Sequence, residues 1–460
     1  MSEILTTPCG EIRGTTCQWD GVTAFKGIRY ATAGRWEYPQ LVRSWEGIYE
    51  ATEYGHCSYQ MGAFQDEGQT KSAKKLFYYN EFRKGEMFTY DDDCLFLNIW
   101  KPTDATEESK LPVIVYIHGN LYTQGCGHEK YMDGPVWPTK GVIAVTLNYR
   151  LGPMGFMCLP ELKAEAGHTG NYGLFDQVAA LEWIQKNISA FGGDPANVTI
   201  MGHATGAMCV QYLCLSPVTE GLFAKAVMTG GGGVNMMLNN KEKASDRYKF
   251  WGKIGREAGC KNVEDLRALP IETIFETWQK VRGKMGGKGT SSSPCIDGAL
   301  IVETNLEATI RRVQREIPYM IGSNSEGEAA YSLHGMAIDW CRSQAEQGKE
   351  PSYCWFFDRA VPGDKYGAWS GSELWYFFGT LKNSWRPFTE KDYELSEQMV
   401  TALCNFAKNG NPSGDGYPEW KPVTAKEHKS MCFGEKETYF GKPNRLKLIK
   451  STLFGKEIGK

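Results

Sequence analysis

The segment Met201-Gly202-His203-Ala204-Thr205-Gly206 lies between a β-branched apolar run, Val198-Thr199-Ile200-Met201, and a helix-like stretch from Ala207 to Leu215. Two glycines bracketing one central residue suit a sharp strand-to-helix turn, because the central backbone is strained and its neighbours must be small. A serine at the apex of such a turn would be placed to act as a nucleophile. The apex here is Ala204, whose methyl group carries no nucleophilic atom. Acyl-transfer chemistry needs three further devices: a base titrating near neutrality, an acid that orients it, and backbone N–H groups for a developing oxyanion. His203 and Thr205 flank Ala204, but neighbours on a tight turn are expected to point elsewhere.

The elements around this turn read as an α/β domain. Leu111-Pro112-Val113-Ile114-Val115-Tyr116-Ile117-His118 and Val142-Ile143-Ala144-Val145-Thr146-Leu147 are continuous apolar runs, the pattern of strands buried on both faces. Ala224 to Met228 and Tyr319 to Ile321 read as further strands. Leu174 to Ala190 and Lys391 to Lys408 read as helices, the second stopped by Gly410 and Pro412. Gly283 to Pro294, rich in Gly, Lys and Ser, reads as an exposed loop. Strands alternating with helices and no linker between them predict a single domain over 1–460, built on a mostly parallel sheet flanked by helices.

Several motifs resemble the type-B carboxylesterase family, which includes cholinesterases and para-nitrobenzyl esterases and has the α/β-hydrolase fold. Phe25-Lys26-Gly27-Ile28-Arg29-Tyr30-Ala31 is similar to its N-terminal motif, with Arg29 in place of proline. Asp93-Cys94-Leu95-Phe96-Leu97-Asn98, Asn148-Tyr149-Arg150-Leu151-Gly152-Pro153, Gly170-Asn171-Tyr172-Gly173-Leu174 and Phe191-Gly192-Gly193-Asp194-Pro195 match further family segments in order. The resemblance spans nearly the whole chain and implies an α/β-hydrolase with a reduced cap between Glu326 and Ser370. It places the nucleophile position at Ala204. The segment Gly367-Ala368-Trp369-Ser370-Gly371-Ser372-Glu373-Leu374 puts the family's histidine position at Ser370, with Glu373-Leu374 setting the register. A hydroxyl has no pKa near neutrality, so Ser370 is no general base, and as a nucleophile it would need a base that the sequence does not reveal. The acid position falls on Glu326, with Glu328 as its rival. The oxyanion loop is His118-Gly119-Asn120-Leu121, where two small residues of the family are replaced. The backbone N–H groups of Asn120, Leu121 and Thr205 are the candidate donors, and the two larger side chains are expected to narrow the pocket or shift the loop.

The resemblance also suggests a cysteine pair, Cys57 and Cys94. The chain has 14 cysteines but no CxxC and no His/Cys cluster with zinc spacing, so buried free thiols in a reducing cytoplasm are expected, with Cys57 and Cys94 as adjacent thiols. His56, His128, His168, His334 and His428 show no partner pattern. The start Met1 to Pro8 lacks a basic and apolar leader pattern. Of the 460 residues, 42% are hydrophobic and 23% charged, which excludes a disordered chain. A net charge of −3 gives no basic excess for nucleic acid. The run Val142 to Leu159 is interrupted by Asn148, Arg150 and Pro153, so no membrane span is expected. No metal or cofactor motif appears. Tyr122, Trp369, Trp375 and Tyr376 suggest an apolar pocket wall, although such clusters more often build core. Oligomeric state is unreadable. The expected protein is a carboxylesterase-fold chain that has lost hydrolysis and keeps a pocket for a small-molecule ester. The alternatives are an active esterase with an engineered Ala204, an enzyme using an unrecognised group, and a cholinesterase-like interaction protein.

Overall fold

The computed structural model describes residues 3–61, 72–234, 241–285, 292–326, 329–444, 448–449 and 458. Its centre is an eleven-stranded sheet. Across the sheet the strands run Thr438–Gly441, Ser430–Phe433, Ser352–Phe357, Tyr319–Asn324, Lys225–Thr229, Gly193–His203, Leu111–Ile117, Ile143–Leu147, Phe96–Pro102, Val22–Arg29 and Thr15–Thr16. Every pairing from Ser430–Phe433 to Ile143–Leu147 is parallel. The pairings outside that stretch are antiparallel.

Parallel strands are joined by helices that return over the sheet, so both faces of the strands are covered. That is why Ile143–Leu147 and Lys225–Thr229 are buried at every position. Alternation along Leu111–Ile117 sends Val113, Val115 and Ile117 into the core on one face and Ile114 and Tyr116 into the core on the other. Helices Tyr172–Asn187 and Thr205–Leu215 fill the first core with Leu181, Ile184, Val210 and Leu213. Helix Glu390–Asn409 fills the second with Met399, Val400 and Leu403, and ends at Gly410 in a left-handed cap with φ 77°.

The expected strands and helices are present, with shifted ends. The strand expected at Val198–Met201 runs from Gly193 to His203, and the helix expected from Leu174 begins at Tyr172 and gives way to a 3₁₀ turn at Ile188–Phe191. Helix Ile271–Met285 continues through Gly283, so the expected loop is helical at its start, and 286–291 lies outside the described residues. Among the described residues, the segment from Glu326 to Ser370, where little cap is expected, holds one helix, Ala330–Glu346, and the strand Ser352–Phe357 of the main sheet. No sequence signal marks that strand or Ser430–Phe433 in advance.

One of the family-like motifs and the residues just after another meet in a buried ion pair. Arg150 donates from Nη2 to Asp176 Oδ1 at 2.7 Å and from Nε to Oδ2 at 2.9 Å, and the Arg150 backbone N–H adds a bond to Oδ2 at 3.0 Å. Both side chains are almost fully enclosed. Bidentate geometry satisfies charges that could not otherwise be buried, and it ties the loop after Ile143–Leu147 to the first turns of helix Tyr172–Asn187. Asp176→Ala strands the guanidinium and is expected to lower stability by about 3–5 kcal/mol, read from urea denaturation; a loss under about 1 kcal/mol would show that the pair does not anchor the loop.

Candidate active site

The strand Gly193–His203 turns directly into helix Thr205–Leu215 at Ala204, whose backbone sits at φ 50°, ψ −116°. Side chains disfavour this region, so surrounding contacts must impose it. The Ala204 N–H donates to the Thr229 carbonyl at 2.9 Å, and the Met208 N–H donates back to the Ala204 carbonyl at 3.1 Å. The two glycines are sterically required. A Cβ on Gly206 would land on the Ile117 carbonyl oxygen, and one on Gly202 would land on the backbone of Gly206. The turn therefore keeps the architecture that presents a nucleophile, with a methyl group where the nucleophile would be.

The imidazole of this site comes from an unexpected place. His203 does not point away from its neighbours' site. Its Nε2 lies 3.5 Å from Ser370 Oγ, while its Nδ1 lies 2.9 Å from Glu373 Oε1 and 3.0 Å from Thr229 Oγ1. The ring nearest Ser370 is thus His203, a neighbour that the sequence does not reveal. Nδ1 is shared between the Thr229 hydroxyl and the Glu373 carboxylate, with Glu373 the nearer of the two. Gly230 and Gly371, both at positive φ, wall in the ring, and a Cβ on Gly230 would strike His203 Cε1 at 2.9 Å.

Glu373 was only a register mark in the sequence, yet it is the carboxylate that faces the imidazole. It is fully buried at the start of helix Ser372–Phe378. Its Oε2 accepts from Asn324 Nδ2 at 2.6 Å and from the Gly371 N–H at 2.8 Å. Burial pushes its pKa up, but the facing His203 imidazole and the Asn324 bond outweigh burial and hold it below the usual range. The available signal was the apolar run Leu374 to Phe378, because a carboxylate at its head is drawn inside and must find partners. Glu326, the expected acid, is half-buried with its side chain against Gly367, and its N–H donates to the Ala368 carbonyl at 3.2 Å. Its rival Glu328 lies outside the described residues.

The oxyanion loop retains a glycine-like path without the glycines. Asn120, Leu121 and Tyr122 have φ of 85°, 58° and 60°. Three successive non-glycine residues in the left-handed region are costly, at roughly 1–2 kcal/mol each. Gly119 cannot be replaced, because a Cβ there would meet the His203 carbonyl oxygen. Of the three expected donors, the Leu121 N–H is already engaged, donating to Thr205 Oγ1 at 2.9 Å. The Thr205 hydroxyl therefore occupies a donor that a substrate oxyanion would need. Asn120 and Leu121 are both exposed.

All four expected wall aromatics are buried. Trp375 Nε1 donates to Glu81 Oε1 at 2.7 Å and the Tyr376 hydroxyl to Asp392 Oδ1 at 2.8 Å, which are core roles. Trp369 meets Phe77 edge-on at 5.1 Å, and Tyr122 meets Phe156 at 5.5 Å. All fourteen cysteines are free. Cys94 and Cys57 are not linked, and their surroundings differ: Cys94 is grouped with Ser58 and Asp176, Cys57 with Cys126 and His128.

A parallel sheet with a strand–turn–helix elbow at its centre defines an α/β-hydrolase. The carboxylesterase family profile matches residues 1–338 and 328–449, and this chain belongs to that family. It is 29% identical to a para-nitrobenzyl esterase of Bacillus subtilis (strain 168), covering 89% of this chain and 91% of that one. It is 35% identical to a bile salt-activated lipase of Rattus norvegicus over 91% of this chain and 79% of that one. Among solved structures, a PNB esterase superposes with a TM-score of 0.81 at 25% identity, covering 98% of this chain and 99% of that one. No described helix is long and apolar enough to cross a membrane.

Leu121 is 72% exposed, so it loses little packing on truncation. Leu121→Gly should relieve the left-handed strain, less the added chain entropy of glycine, and raise stability by about 0.5–1 kcal/mol. Urea denaturation measures this, and a clear loss of stability would mean that the side chain holds the loop.

Proposed function

We propose that this chain is a carboxylesterase-fold protein that binds an ester or ester-like small molecule without hydrolysing it through the elbow. The observation that carries this reading is Ala204 at the apex, with the nucleophile's backbone conformation and no nucleophilic atom. Two further features support it. The Leu121 N–H is taken by Thr205 Oγ1, and the expected histidine position is Ser370. Loss of a triad nucleophile typically costs about 10⁶-fold in kcat, and further losses within the unit add little. A reducing, cytoplasmic setting accords with the free thiols. A single engineered change at Ala204 would leave Ser370, Asn120 and Leu121 unaccounted for.

The test is turnover of short-chain p-nitrophenyl esters by the chain as it stands and by the double variant Ala204→Ser with Ser370→His. The unaltered chain is expected at background, about 10⁶-fold below a competent serine esterase. Clear turnover that persists through rigorous purification and is indifferent to position 370 would overturn the reading. Calorimetry with the same esters measures the binding half of the proposal, and the absence of heat across a range of acyl lengths would sink it.

One observation favours a second reading. Ser370 Oγ, His203 Nε2 and Glu373 form a hydroxyl–imidazole–carboxylate row. In that reading Ser370 attacks the ester carbon, His203 takes the hydroxyl proton, and Glu373 stabilises the imidazolium. The 3.5 Å contact is at the outer limit of a hydrogen bond, and Nδ1 is shared between Glu373 and the Thr229 hydroxyl, so this reading stands second. It predicts that a fluorophosphonate probe labels Ser370 and that Ser370→Ala abolishes both labelling and turnover. Unlabelled Ser370 in folded protein would eliminate it.

A further inference from the structure

A second group of reactive side chains stands apart from the elbow. Cys57, Cys126 and His128 bring Sγ, Sγ and a ring nitrogen within 4.8 Å of one another, and all three residues are buried. Cys57 Sγ is 3.6 Å from His128 Nε2. A tetrahedral zinc ion with Zn–S near 2.3 Å and Zn–N near 2.0–2.1 Å requires a sulfur-to-nitrogen edge of about 3.6 Å. The Cys57-to-His128 edge matches, and the remaining donor pairs lie within 4.8 Å. We propose that Cys57, Cys126 and His128 form a binding site for a thiophilic divalent cation of the zinc type, through two thiolates and one imidazole.

The surroundings hold the three donors in place. The His128 ring is stacked on Tyr54, with centroids 4.4 Å apart and planes 7° apart, and near Phe88 at 5.3 Å. Cys57 lies on a short strand paired with Tyr90–Asp91. The loop carrying Cys126 and His128 is fixed from both sides. The Gly125 N–H donates to Gln60 Oε1 at 2.9 Å, and the Gly127 N–H donates to Asn148 Oδ1 at 2.7 Å. A Cβ on Gly127 would press on the Leu147 carbonyl oxygen at 2.8 Å. Rigid support of this kind keeps ligands oriented before an ion arrives.

Charge also balances. Arg83 Nη2 donates to Cys126 Sγ at 3.5 Å, and Arg83 Nε donates to Glu129 Oε1 at 2.9 Å. Arg83 and Glu129 cancel each other. Two thiolates would then leave two negative charges in a dry site, and a divalent cation neutralises both. The guanidinium N–H on sulfur is the kind of outer bond that tunes metal-bound thiolates. Three protein ligands leave a fourth position for water or a small ligand. The site sits a few residues beyond the oxyanion loop, so an ion there would brace the base of that loop.

The experiment uses the full chain purified in reductant, stripped with a chelator, and titrated with Zn²⁺ against a chromophoric competitor. About one equivalent should bind. Co²⁺ in place of zinc should give a sulfur-to-cobalt charge-transfer band and d–d bands of tetrahedral intensity. Cys57→Ser and Cys126→Ser should each weaken binding by at least about 100-fold and remove the charge-transfer band, since a first ligand counts for at least as much as its support. Cys94→Ser, which removes a thiol outside the cluster, should leave both unchanged. Circular dichroism confirms that each variant is folded, and His128→Gln replaces either cysteine variant if one is not. Less than about a tenth of an equivalent bound would overturn the proposal. So would affinity undiminished in both cysteine variants, or a Cys57–Cys126 disulfide in protein alkylated at lysis.

Discussion

Everything near the elbow depends on backbones approaching more closely than any side chain would allow. Gly202, Gly206 and Gly119 form one steric unit, in which each glycine's missing Cβ is the space occupied by a neighbour's backbone. Strand Leu111–Ile117, strand Gly193–His203 and helix Thr205–Leu215 meet there. The unit holds Ala204 in a conformation a side chain disfavours, at a cost of about 1–3 kcal/mol borne by the parallel sheet on either side. The scaffold has kept this strain although the apex atom that would use it is absent. Strained geometry of this kind belongs to the fold as much as to the chemistry, because relaxing the turn would break the packing of two strands and a helix.

Charge inside the site is arranged around the same unit. His203 brings a polar ring to the edge of the buried region, and Glu373, Thr229 and Ser370 face it. Glu373 tolerates full burial because the imidazole, an amide and a backbone N–H address it together. In the oxyanion loop the adjustment runs the other way. Asn120, Leu121 and Tyr122 keep left-handed backbones, and Thr205 accepts one of the N–H groups that a reacting ester would have claimed. The residues at 120, 121, 204, 205 and 370 are therefore mutually compatible in packing.

Much of the fold was legible residue by residue. The runs Leu111 to His118 and Val142 to Leu147 read as strands buried on both faces, and Lys391 to Lys408 with its terminal Gly410 reads as a capped helix. Strand Ser352–Phe357 was not legible, because Ser-Tyr-Cys-Trp-Phe-Phe has no alternation and a short aromatic run reads equally as helix or strand. The position of Ala204 was also clear, since two spaced glycines after a strand leave few conformations. Its partners were not. The sequence suggested Glu326 as the acid for position 370, and it did not reveal that Glu373 faces the imidazole of His203.

What the sequence alone determined, then, is the backbone frame: apolar runs that must be buried, glycines where no Cβ fits, and a missing reactive atom at 204. These are local constraints, expressed within a few residues along the chain. The tertiary structure decided which side chains meet. His203 reaches Ser370 across 167 residues, and Cys57 reaches His128 across 71. Side-chain direction at a turn and the pairing of distant loops depend on packing over the whole sheet, and no short window of sequence contains that information.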